Sequence, residues 1–97
     1  MTRSELIQVM STKQGNLSER EVELAVKYIL EEMTEALSSG HRIEIRGFGS
    51  FSVRYRPARK ARNPKTGVYI QKEAKHSIHF KAGKEMRDRV TQKMETV

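Results

Sequence analysis

HRIEIRGFGSFSVRY, His41 to Tyr55, is the stretch on which the architecture turns. Ile43 and Ile45 fall on one side of an extended chain and Arg42, Glu44 and Arg46 on the other, the period of a strand with one wet face. Gly47-Phe48-Gly49 interrupts the alternation, and Phe51, Val53 and Tyr55 resume it. The pattern predicts a hairpin with Phe48 held at its turn.

Upstream of this hairpin the period is helical. Thr2-Arg3-Ser4-Glu5 has the spacing of a capping box, and Leu6, Ile7 and Met10 share a face, predicting a short helix that stops near Gly15. A second capping box at Ser18 and Glu21, with Leu17 and Val22 at the spacing of a hydrophobic staple, opens a longer helix. Val22, Ala25, Val26, Ile29, Leu30, Met33, Ala36 and Leu37 recur at threes and fours along it, and Gly40 supplies a left-handed stop. That stripe is wider than the short helix can cover. A chain of 97 residues buries only a modest fraction of its apolar surface alone, so part of this core is expected to lie against a second subunit.

Downstream, the apolar face thins after Tyr55. The run Arg56 to Arg62 reads RPARKAR, a turn follows at Asn63 to Gly67, and only Val68, Tyr69 and Ile70 offer another face. A two-stranded ribbon with nothing beneath it is marginal in water, which predicts a mobile arm that orders on a surface. Ile78 and Phe80 bring the chain back to the core. A last helix beginning near Ala82 and Gly83 turns Met86, Val90 and Met94 inward, with Lys84, Arg87, Arg89 and Lys93 elsewhere. The expected fold class is α+β, in a single domain over 1–97 with no internal repeat or linker. Its helical body covers about 1–40, its antiparallel sheet about 41–55 and 74–81, its arm about 55–75 and its C-terminal helix about 82–95.

Charge is distributed unevenly. The net charge is +7 and the isoelectric point near 10.0, but residues 1–40 carry a net of −3 and residues 41–97 a net of +10. Eight of the fifteen basic groups in the second part lie between Arg54 and Lys75, opposed there only by Glu73. A polyanion is the expected partner, rather than solvent around a disordered tail. The absence of Cys excludes disulfides and thiolate metal sites, and suits a reducing compartment. No apolar run approaches the ~18–20 residues that span a bilayer, and the first residues lack a signal-peptide core, so a cytoplasmic protein with no membrane partner is expected. His76 and His79 are three apart on a predicted strand and so on opposite faces, and His41 stands alone. No catalytic triad spacing or phosphate-cradling loop is present, so no enzyme, metal or cofactor is expected.

The arm reads as a nucleic-acid device. The minor groove of duplex DNA takes flat arms and apolar wedges, and proline at an exposed tip is rigid and leaves no N–H unsatisfied. Pro64 is the candidate wedge, with Arg59, Lys60, Arg62 and Lys65 spaced to meet phosphates and Asn63 able to reach base edges or brace the turn. Arg42, Arg56 and Lys75 extend the basic run. Lys81, Lys84 and Arg87 lie near a helix N-terminus, where backbone N–H groups favour phosphate, and Arg3 and Ser4 begin another helix of that kind. Two other readings stay open on the residues alone: a basic RNA- or ribosome-associated protein, and a dimerisation module with incidental charge.

Three motifs in order, GFGSF at Gly47 to Phe51, RNPKTG at Arg62 to Gly67 and FKAGKEMRD at Phe80 to Asp88, resemble the bacterial HU and integration host factor family of DNA-bending proteins. The resemblance covers nearly the whole chain. It implies an intertwined dimer with a helical body and two β-ribbon arms that wrap double-stranded DNA in the minor groove, each tip proline, here Pro64, inserting between base pairs in the bacterial nucleoid. Within the family, HRIEIRGFGSFS looks most like the beta-type subunits of integration host factor. That likeness implies a related alpha-type partner, or else a homodimer, and roles in nucleoid organisation, recombination and transcription. It also implies that Arg46 reaches the minor groove and that Glu44 helps position it. The chain departs from the family pattern at Ala61, where Gly is usual, at Ala82, where integration host factor usually has Pro, and at Pro57, where Ala is expected.

Overall fold

The computed structural model describes residues 1–95. The fold is α+β, with eight elements: α1 (Arg3–Lys13), α2 (Glu19–Ser38), β1 (Ile43–Ile45), β2 (Gly49–Arg56), β3 (Arg59–Arg62), β4 (Tyr69–Lys72), β5 (Lys75–Ala82) and α3 (Lys84–Glu95). They fall into two compact units, Met1–Glu35 and the residues from Ala36 onward.

In the first unit, side chains set the helix ends. Thr2 is extended, and its Oγ1 accepts from the Glu5 N–H at 3.2 Å, starting α1. At α2 the capping box is reciprocal: Ser18 Oγ accepts from the Glu21 N–H at 3.2 Å while Glu21 Oε1 accepts from the Ser18 N–H at 3.4 Å. Between the helices the Gln14 side chain latches the loop, accepting from the Asn16 and Leu17 N–H groups and donating to the Leu17 carbonyl. Three residues, Ile7, Val22 and Val26, form the buried cluster among the described residues. Of the rest of the expected stripe, Met33, Ala36 and Leu37 are half-buried, whereas Ala25, Ile29 and Leu30 are exposed, Ile29 by 56%.

In the second unit, β1, β2 and β5 form an antiparallel sheet in that order, and β3 pairs with β4 in a two-stranded sheet of its own. The predicted hairpin is present. Phe48 donates its N–H to the Ile45 carbonyl at 3.0 Å, and Gly47 has φ 82, a left-handed conformation that disfavours a side chain at this turn position. Phe51 faces Phe80 and Val53 faces Ile78, so the apolar alternation of β2 and β5 coincides on one side of the sheet. The Phe80 ring packs at 4.7 Å from Phe51 and 5.4 Å from Phe48, centroid to centroid. α3 begins at Lys84 with Gly83 as its cap: Gly83 donates its N–H to the Phe48 carbonyl at 2.9 Å, and its carbonyl accepts from the Arg87 N–H at 3.0 Å.

Ala61 sits in β3 opposite Ile70, and no non-glycine residue among those described has positive φ. The ladder therefore takes alanine without strain at this departure from the family pattern. Pro57 and Ala58 fall outside both ladders, as do Glu73 and Ala74 opposite them.

Candidate nucleic-acid interface

The face of the sheet opposite the phenylalanines is polar. Ser50 faces Lys81, Arg54 faces Ser77 and Arg56 faces Lys75 across β2 and β5, while Glu44 of β1 faces Ser50. Side-chain hydrogen bonds tie the rows together: Arg56 Nε donates to Ser77 Oγ at 2.9 Å, and Arg42 Nη2 reaches Ser50 Oγ at 3.4 Å. Because strand side chains alternate, burying Phe51 and Val53 on one side commits Ser50, Ser52, Arg54 and Arg56 to the other.

At the hairpin end this face opens into a concavity of about 430 Å³ lined by Arg42, Glu44, Arg46, Lys81 and Arg87 together with backbone at Gly47, Gly49 and Gly83. Four cations surround one carboxylate. Glu44 Oε1 accepts from Arg42 Nε at 3.0 Å, with both side chains more than half exposed, so the pair is worth little energetically and yields to a competing anion. In the unbound chain, then, Glu44 engages Arg42 rather than Arg46. Lys84 turns to Asp88 at 2.8 Å and does not line the concavity, whereas Lys81 and Arg87 do.

A second groove, about 610 Å³, lies at the root of the arm and is lined by Arg56, Arg59, Lys72 and Lys75 together with one carboxylate, Glu73. Lys72 is the residue that motif reading missed. Its signal was its place opposite Arg59 in the returning strand. Lys60 and Arg62 lie on β3, exposed and opposite Gln71 and Tyr69.

The tip is closed by backbone bonds. Asn63 donates its N–H to the Val68 carbonyl at 2.8 Å and accepts from Gly67 at 2.8 Å, while its Oδ1 takes the Lys65 N–H at 2.9 Å. Asn63 thus braces the turn with its side chain. Pro64 and Lys65 stand exposed at the end of this closed loop. Arg3 and Ser4 lie exposed in the first turn of α1, in the other unit, with the Ser4 hydroxyl 3.1 Å from that of Thr2.

Residues 1–91 match the family model described as bacterial DNA-binding protein. Among similar proteins are the integration host factor beta subunits of Alkalilimnicola ehrlichii, 60% identical over 93% of this chain and 90% of that one, and of Azotobacter vinelandii, 58% identical over 95% and 100%. The chain belongs to the HU and integration host factor family of bacterial DNA-binding proteins. Solved HU structures agree with this placement. The Anabaena HU–DNA cocrystal structure matches with a TM-score of 0.81 and 34% identity over 93% of this chain and 97% of that one. HU from Thermotoga maritima matches with a TM-score of 0.64 and 30% identity over 93% and 98%. The HU and integration host factor family is one of DNA-binding proteins, not of enzymes. Among the described residues no group of His, Asp and Glu is placed to hold a metal ion, and no helix is long and apolar enough to cross a membrane.

Proposed function

We propose that this chain is one subunit of a dimeric architectural protein that binds duplex DNA through the minor groove and bends it. The observation that carries the reading is a succession of cation-lined hollows on the sheet and the arm. Beginning at the Arg42, Arg46, Lys81 and Arg87 concavity, it passes through the Arg56, Arg59, Lys72 and Lys75 groove and ends at an exposed proline on a braced tip. Phosphate contacts along this path position the duplex, and Pro64 inserts at a base step, with Arg62, Asn63 and Lys65 beside it and Lys60 on the arm. In this reading Arg46 reaches the minor groove with Glu44 leaving Arg42 to position it. Lys84 and the first turn of α1, at Arg3 and Ser4, take further phosphates outside the concavity. Smooth bending of a short site costs on the order of 1–6 kcal/mol, and each unstacked step adds a few more. Counterion release must offset this, so affinity falls steeply with salt.

Dimerisation is supported by apolar surface left uncovered in both units. Ile29 and Leu30 on α2, and Ile45, Ile78 and Phe80 on the sheet, are all exposed beyond a third. The partner is either a second copy or a related alpha-type subunit. The 97-residue chain works as one DNA-bending unit in the cytoplasm, at the bacterial nucleoid, where bends serve compaction, recombination and transcription.

Energy transfer between dyes at the ends of a duplex of about 30 base pairs tests the bend, since smooth bending at this length is costly and a bound protein must shorten the end-to-end distance. Unchanged transfer at saturation would refute it. Preference for double-stranded RNA in competition would favour the RNA-binding alternative, because A-form grooves do not suit a minor-groove arm.

A further inference from the structure

The strand pair β2–β5 and the pair β3–β4 keep the same residue offset, with Arg56 opposite Lys75 and Arg59 opposite Lys72, yet two rungs between them are missing. In an antiparallel ladder, facing pairs alternate between those that exchange both backbone hydrogen bonds and those that exchange none. Gly83 donates to the Phe48 carbonyl at 2.9 Å, just outside the pair Gly49/Ala82. Gly49/Ala82 is therefore a non-bonded pair, Ser50/Lys81 a bonded one, and counting by twos makes Arg56/Lys75 bonded. At the other end Asn63 donates to the Val68 carbonyl at 2.8 Å, just outside Arg62/Tyr69. By the same rule Ala61/Ile70 and Arg59/Lys72 are bonded.

Arg56 and Arg59 are an odd number of residues apart, so one continuous ladder would put them in opposite phases and on opposite faces. Both belong to bonded pairs, so the ribbon turns over by one residue at the break. For L-residues, the side on which the partner strand lies fixes the face that a bonded residue's side chain takes. Arg56, Arg59, Lys72 and Lys75 consequently share a face. All four line the groove at the arm root, together with Gln71, Glu73 and Ala74. Extending the β3–β4 phase inward would require Pro57 to donate an N–H to Ala74, and proline has none. Among the described residues, the amides of Ala58, Glu73 and Ala74 have no backbone acceptor.

We propose that Pro57 is a positioning residue: by holding the ribbon turned over at this break, it assembles Arg56, Arg59, Lys72 and Lys75 into a seat for one backbone phosphate of the bound duplex. The seat rests on the DNA-binding function proposed above, whereas the turnover stands without it. Two measurements on the full chain test them. In the free protein, amide hydrogen exchange is faster at Ala58, Glu73 and Ala74 than at Arg59 and Lys72, and Pro57→Ala slows exchange at Ala74. Protection at Ala58 and Glu73 in the unaltered protein, or no change at Ala74 in the variant, overturns the role of Pro57. On duplex DNA, Lys72→Gln lowers the salt dependence of log K by about 1, the loss of one phosphate contact. In the Pro57→Ala background the same substitution has less than half that effect. An unchanged slope, or an equal loss in both backgrounds, overturns the seat. Failure of the unaltered protein to bind duplex DNA, with the exchange pattern intact, refutes the function beneath the seat and leaves the turnover in place.

Discussion

Gly49→Ala is the substitution whose cost the structure defines most closely. An added Cβ would lie 2.6 Å from the Lys81 carbonyl oxygen and 2.7 Å from Phe80 Cζ, well inside van der Waals contact. Neither neighbour yields easily. The carbonyl belongs to the backbone of β5, and the Phe80 ring, though partly exposed, packs against both Phe48 and Phe51. Overpacking of this kind costs ~1–3 kcal/mol, and a backbone obstacle places this case at the upper end. For a domain of this size each kcal/mol shifts Tm by ~4–8 °C, so a loss of more than 10 °C is expected. Gly15→Ala is the control, because its Cβ would meet nothing within 4 Å. Thermal melts followed by circular dichroism, at one protein concentration because dimer stability depends on it, make the comparison. Melting of Gly49→Ala within about 2 °C of the unaltered chain, less than even ~1 kcal/mol would produce, would show that the Phe80 packing and the β2–β5 register are not as described.

Ser18→Ala removes the acceptor for the Glu21 N–H and should cost ~1 kcal/mol, seen as a fall of several degrees in Tm. Pro64→Ala should retain much of the affinity for duplex DNA while reducing energy transfer between end dyes; transfer equal to that of the unaltered protein would remove Pro64 from its proposed role. Glu44→Gln releases Arg42 and takes the one carboxylate out of the concavity, so affinity for random-sequence duplex at low salt should rise by up to about fivefold, with the gain fading as salt is added. Weaker binding of this variant to random sequence would contradict the electrostatic account.

Most of the elements were legible because they depend on local patterns. The Ser18 and Glu21 box, the hairpin around Phe48 and the alternation of Phe51 and Val53 each contain their own reason within a few residues. What escaped depends on partners remote in sequence. The cap of α3 is fixed from afar, because Gly83 is bonded to a turn much earlier in the chain. Lys72 joins the site only once β4 is placed against β3. The break at Pro57 was hidden for another reason: RPARKAR carries no apolar alternation that could be seen to slip.

That last difference separates the two halves of the interface physically. In β2 and β5 a slip of one residue would exchange Phe51 and Val53 with Ser52 and Arg54, burying charge and exposing rings. The sheet's polar side is therefore fixed indirectly, by what the other side packs against. The arm has no such constraint. Ala61 opposite Ile70 is its only apolar pair, and Ile70 is 48% exposed, too little burial to choose a face. Facing along β3 and β4 must instead be set at the ends of the ribbon, where hydrogen bonds are either compelled or forbidden. At the tip, Asn63 compels one phase through its bonds to Val68 and Gly67; at the root, Pro57 forbids that phase from running into the sheet. An arm governed in this way can change its charged residues with little effect on its geometry, but not the proline and asparagine that bound it.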